Sequence, residues 1–237
     1  MAKHSKRYEK HKKETEQLAP QSLESAVKRL KGFASTKFDQ SVEVAIRLGI
    51  DPKQADQGVR GTVALPHGTG KKVKVLVFAE GEAARAAEAN GADKVGGADL
   101  AAAITSGAQP LDWDITIAHP SLMAEVGKLG KALGPRGLMP NPKAGTVTPD
   151  VGKAVKEFKG GRVEYRNDRF GNVAVGIGKV SFSAEQLRDN LSILVGEITR
   201  VKPSSSKGRY IKKLTLSSTM GLGIHVDVNE LDELKTE

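Results

Sequence analysis

The stretch KKVKVLVFAEGEAARAAEANGAD, residues 71–93, changes its hydrophobic period partway along. From Val73 to Ala79 apolar residues run almost unbroken, as in a strand buried on both faces. From Glu80 onward the composition turns to alanine and charge, an amphipathic helix closing on Gly91. A buried strand followed at once by a helix is the unit of a parallel sheet. The pattern continues with DLAAAITSG (99–107) as a helix and DWDITIAHP (112–120) as a second buried strand. SLMAEVGKLGKALG (121–134) and DVGKAVKEFKG (150–160) read as two more helices, separated by the loop GPRGLMPNPKAGTVTP (134–149).

On either side the period changes to two. In FDQSVEVAIRLGID (38–51) Val42, Val44, Ile46, Leu48 and Ile50 alternate with small or polar residues, a long half-buried strand, and GVRGTVALP (58–66) adds a second. SLESAVKRLKGFA (22–34) opens on a serine cap and places Leu23, Ala26, Val27, Leu30 and Phe33 on one helical stripe. Beyond Gly161, RVEYRND (162–168) and GNVAVGIGKVSF (171–182) read as a hairpin around DRFGN. Ser183 caps a helix running to about Val201, and YIKKLTLSST (210–219) with GIHVDV (223–228) supply two strands. The expected fold is therefore α/β in two domains. A discontinuous outer α/β domain, split βαβ-like with a mostly antiparallel sheet, takes residues 1–67 and 160–237; an inserted Rossmann-like α/β domain takes 68–159.

Within LTLSSTMGLGI (214–224) Leu214 and Leu216 share one face, while Thr215, Ser217 and Thr219 share the other. A row of hydroxyls ending in methionine and glycine fits either a solvated strand rich in β-formers or a surface that contacts a polar partner.

Composition narrows the partners. The 237 residues include 37 Lys and Arg against 28 Asp and Glu, a net charge of +9 and a sequence pI near 9.6, which suits a polyanion. Residues 1–66 and 160–237 hold 25 basic and 18 acidic side chains, so most of the excess sits on the outer domain despite the acidic end DVNELDELKTE. No cysteine is present, which removes disulfides and thiolate chemistry, and the five histidines lack metal-ligand spacing. No metal and no cofactor are expected. No run reaches the length of a membrane-spanning helix, and the basic start lacks the apolar core of a secretory signal, so the expected location is the cytoplasm.

Catalytic motifs are missing where they would have to be. PHGTGKK and GKLGKALGPRG miss the spacing of a phosphate-binding loop, and the turn after the first buried strand has one glycine where a dinucleotide fingerprint needs three. The loop 134–149 carries Arg136 and Lys143 as anion donors without a proton-transfer group or nucleophile, which fits a binding loop or a rigid connection. Phe38, between Lys37 and Asp39, fits either a core position or an RNA surface, and Arg162, Arg166 and Arg169 surround Tyr165. Two other functions remain open on these residues: an enzyme of phosphorylated small molecules, and a DNA-binding regulator, for which no recognition-helix signature is found.

Taken together, KFDQSVEVAIRLGID, VRGTVALPHGTGK, GPRGLMPNPKAGTVT, VEYRND and STMG resemble the bacterial L-one family of large-subunit ribosomal proteins, in order and across nearly the whole chain. The resemblance implies a structural protein, not an enzyme, on the ribosome in the cytoplasm. It implies binding to large-subunit ribosomal RNA at the mobile stalk near the tRNA exit site, assistance in releasing deacylated tRNA, and repression of its own operon mRNA. It also implies that Lys37, Phe38, Ser41, Ser217, Thr219, Met220 and Gly221 contact RNA, with Arg136, Lys143 and Arg166 as secondary RNA or tRNA contacts. Ser41 stands where the family often has threonine, which keeps the hydroxyl.

Overall fold

The structure, a computed structural model, describes residues 5–15, 19–33 and 36–230. Lys3, His4 and the last seven residues of the acidic end lie outside the described residues. The first limb of the chain forms α1 (Lys6–Thr15), α2 (Leu23–Gly32), β1 (Ser41–Leu48) and β2 (Arg60–Ala64). The middle forms β3 (Val75–Phe78), α3 (Gly81–Ala89), β4 (Lys94–Gly96), α4 (Ala98–Thr105), β5 (Ile115–Ala118), α5 (Met123–Lys128), α6 (Gly130–Leu133) and α7 (Val151–Lys159). The last limb forms β6 (Arg162–Arg166), β7 (Asn172–Lys179), α8 (Ala184–Arg200), β8 (Ile211–Ser218) and β9 (Ile224–Val226). These elements separate into two compact units, residues 1–70 with 163–237 and residues 71–162.

In the discontinuous unit the sheet order is β7-β1-β8-β9, and every neighbouring pair is antiparallel. Val42, Val44, Ile46 and Leu48 of β1 and Leu214 and Leu216 of β8 point to one face, where α2 and α8 cover them. The predicted stripe of α2 is buried there in full, and Ser22 Oγ accepts from the Ser25 N–H as its cap. At α8, Ser183 and Gln186 exchange the two bonds of a capping box. Asn190 of α8 is wholly buried but fully used: its amide donates to the carbonyls of Ile177 and Gly68 at 2.8 and 2.9 Å, and its oxygen accepts from the His67 N–H. On the opposite face Glu43, Ala45, Arg47, Ala174, Lys213 and His225 are exposed, so among the described residues this side of the sheet is open.

One expectation fails here. β6 and β7 do not form a hairpin; β6 pairs with β2 in a separate two-stranded sheet, while β7 pairs with β1. The turn itself exists, since Asp168 N–H donates to the Asn172 carbonyl at 2.8 Å and Asn167 bridges Val173. The strands diverge beyond it to their separate partners, and Tyr165 of β6 is buried in the same core that β7 lines from the sheet.

In the inserted unit β4-β3-β5 form a parallel sheet. Leu76 and Phe78 of β3 enter a core with residues of α4, α5 and α6, whereas Val75 and Val77 enter another with α3 and α7. Burial on both faces is why this strand reads as an unbroken apolar run. The expected helix over 121–134 divides at Leu129, between Gly127 and Gly130, where weak helix formers let the backbone tighten. β4 is three residues long and was not expected from the sequence.

Candidate nucleic-acid interface

β1 begins and β8 ends at the same edge of the open sheet face, and the hydroxyl residues meet there. Ser217 pairs with Glu43 and Ser218 with Val42, which brings Thr219 beside Ser41. Thr219 N–H donates to the Ser41 carbonyl at 3.1 Å, and Ser41 N–H donates to Thr219 Oγ1 at 3.0 Å. The Thr219 hydroxyl is thus tied to Ser41 in both directions, since it also donates to the Ser41 carbonyl at 3.4 Å.

The chain then turns. Gly221 N–H donates to the Ser218 carbonyl at 3.0 Å, and Met220 N–H donates to Gln40 Oε1 at 2.9 Å. Gln40 is buried, and its main-chain carbonyl accepts from Val180 N–H, so the side chain and the backbone of this one residue tie the ends of β8 and β7 to the start of β1. On this scaffold Met220 projects 55% exposed, and Phe38, two residues before Gln40, is 54% exposed. Lys37 beside it is also exposed. The core reading of Phe38 does not hold, because the chain at 36–38 turns outward with Thr36 Oγ1 donating to the Phe38 carbonyl.

The interior of the open face carries one carboxylate: Gly176, the exposed Glu43 and Ser217 form one row, and Ala174, Ala45, Thr215 and His225 the next. A face of mostly small side chains flanked by exposed thioether, ring and hydroxyls suits a rigid polar surface such as folded RNA, which presents riboses and phosphates. The described residues contain no group of three or more His, Cys, Asp or Glu able to hold a metal.

Residues 30–222 match the ribosomal protein L1p/L10e family. The chain belongs to that family. It is 54% identical to the large ribosomal subunit protein uL1 of Thermobifida fusca over 231 residues, covering 98% of this chain and 97% of that one. With the protein of the same name from Cutibacterium acnes it shares 57% over 206 residues, 87% of this chain and 88% of the other. With that from Streptomyces virginiae the identity is 58% over 212 residues, 90% and 88%. The L1p/L10e family consists of ribosomal proteins, so the chain is not an enzyme and the phosphorylated-substrate reading falls.

The structure brings Lys37, Phe38, Ser41, Ser217, Thr219, Met220 and Gly221 into one neighbourhood of this L1p/L10e fold. The secondary candidates do not gather. Arg136 and Lys143 are exposed in the inserted unit, where Arg136 Nη1 donates to the Leu111 carbonyl at 3.3 Å, while Arg166 is exposed in the other unit. Arg162 belongs to the inserted unit and is bonded to Glu157, and Tyr165 is buried, so the arginine group around Tyr165 is not one patch. Two residues of the interface were missed. Lys179, at the end of β7, donates from Nζ to Ser41 Oγ at 2.9 Å and brings a cation to the hydroxyl cluster. Gln40 has no signal in sequence because its role depends on a partner 180 positions away.

Proposed function

We propose that this chain is a component of the large ribosomal subunit that binds folded ribosomal RNA through the β1 and β8 edge of its discontinuous unit. The observation that carries the reading is the Ser41 and Thr219 junction, which holds hydroxyls, a thioether, a ring and the Lys179 ammonium on one surface of a family of ribosomal proteins. The names of the relatives support assignment to the large subunit and, with it, a cytoplasmic location on the ribosome. Further roles come from the likeness to that family: a position at the mobile stalk, contact with tRNA at the exit site, release of deacylated tRNA, and repression of its own operon mRNA. The roles of Arg136, Lys143 and Arg166 in tRNA contact belong with these.

Filter binding to a folded large-subunit RNA fragment tests the central claim. Thr219→Val and Met220→Ala are expected to weaken binding about 10-fold or more, Met220→Ala with an unchanged melting temperature and Thr219→Val with a slightly lower one because it also loses the Ser41 hydrogen bond, and Arg136→Ala to weaken it less than 3-fold. Equal losses at all three positions would remove the assignment of the main contact. A reporter fused to the chain's own leader tests repression: its expression should fall on overproduction of the wild type and not of Thr219→Val.

A further inference from the structure

The open sheet face has a second polar cluster at its other end. Arg47 lies six residues along β1 from Ser41, about 20 Å away at strand rise. There the pairing with β8 breaks: Arg47 lies opposite Lys213 and Leu48 opposite Ile211, so Lys212 is the extra residue of a bulge. Ile211 and Leu214 are both buried while Lys212 and Lys213 are both exposed, so two consecutive ammonium groups emerge from a strand that elsewhere alternates.

These lysines line a groove of about 310 Å³ together with Arg209, His225 and Asp227. Neither lysine has a hydrogen bond or ion pair among the described residues, and the Asp227 carboxylate accepts instead from the Asn229 N–H at 2.9 Å. Arg209 spends Nη2 on Asn229 Oδ1 at 2.7 Å and retains its other donors, and His225 Nδ1 faces Thr215 Oγ1 at 3.0 Å. Three cations thus border one opening with one committed carboxylate. An anion seated between them would relieve their repulsion and collect several donors at once.

We infer that this groove is a phosphate subsite, taking a backbone phosphate of the same RNA that contacts Ser41 and Thr219. The inference rests on the RNA-binding reading above. Between the two ends stand the small Ala45, Ala174, Thr215 and Gly176 and the exposed Glu43, whose flexible carboxylate has to turn aside from the phosphates for one rigid helical surface to reach both. The hydroxyl end reads shape, and the bulge end supplies sequence-independent attraction.

The experiment is filter binding of the full chain to a large-subunit RNA fragment between 50 and 200 mM salt, for the wild type and for Lys212→Gln with Lys213→Gln. The double variant should bind several-fold more weakly at 50 mM, with the slope of log K against log salt reduced by about 1–2 and the preference for folded over scrambled RNA retained. Lys212→Arg with Lys213→Arg should keep the wild-type slope, which separates charge from an effect on folding. If wild type binds the RNA and the glutamine variant matches it in affinity and slope, the subsite is wrong and the main contact stands. Absence of wild-type binding to folded RNA would overturn both. Titration with inorganic phosphate and with a nucleoside monophosphate separates the sources. Lysine-dependent thermal stabilisation by either, with an unchanged RNA slope, would assign the groove to a free phosphate compound and overturn the RNA contact.

Discussion

A glycine beside a proposed RNA contact has two reasons to be a glycine, and Gly221 shows how to separate them. A Cβ placed there would collide with Ser218 Oγ, so the turn requires the small residue whatever binds outside it. Ser218 is itself buried, and its Oγ has no hydrogen-bond partner among the described residues. Deleting that oxygen should therefore cost little and open the space. Gly221→Ala is expected to destabilise the chain by about 1–2 kcal/mol through overpacking, and Ser218→Ala in the same chain should restore most of that loss in a denaturant titration. RNA affinity then decides the second reason. If the stable double variant still binds about 10-fold more weakly than Ser218→Ala alone, close approach of the RNA backbone is what the missing side chain allows. Recovery of affinity together with stability would leave Gly221 a purely structural residue and remove it from the interface.

At the scale of elements, the turn between β6 and β7 is held by one carboxylate. Asp168 accepts from the N–H groups of Phe170 and Asn172, each at 2.8 Å, and from the Asn172 amide at 2.9 Å, while Gly171 takes a positive φ of 79° to close the turn. The Asn172 backbone N–H, followed by its side chain, holds the carboxyl below its usual pKa of 3.8. A carboxylate with a lowered folded pKa stabilises the fold above its unfolded value, and that contribution disappears as pH falls through the folded value. Asp168→Ala should therefore melt roughly 2 °C lower than wild type at pH 6, and the gap should narrow as the pH is taken from about 4 towards 2. A gap that persisted unchanged into acid would mean that the charge contributes nothing. This turn also marks the limit of what the sequence discloses. Period and caps gave α2, α8 and the inward faces of β1 and β8, because their signals lie within a few residues. The divergence of β6 and β7 follows their pairing with β2 and β1, about 100 or more positions away, and the Gln40 link depends on a partner at Met220, and no local pattern records either. The hydroxyl row at 215–219 was visible as a face, but only the resemblance suggested what that face meets.

For the molecule as a whole, the question is which polyanion its charge selects. A net charge of +9 attracts duplex DNA and RNA alike, and salt weakens both through counterion release. Selection must then come from shape. Reading a DNA major groove requires a helix or ribbon that can enter an opening about 12 Å wide. In the discontinuous unit α2 and α8 spend their apolar faces against the sheet. The outward side of α8 mixes Glu185, Asp189 and Glu197 with Arg188 and Arg200, and Arg200 is already paired to Glu197 at 2.6 Å. α8 therefore lacks the uniform cationic face that phosphates flanking a groove demand. The open sheet face does the opposite, since it is broad, low and bordered by cations at the bulge end and hydroxyls at the other. Competition at 200 mM salt should accordingly require at least about 100-fold more duplex DNA than unlabelled folded ribosomal RNA of equal length to displace a labelled RNA fragment. At 50 mM the ratio should shrink, because the unspecific share of binding grows as counterions thin out. Duplex DNA that competed as well as RNA at the higher salt would show that charge alone drives association, and the shaped face between Ser41 and Arg47 would lose its part in recognition.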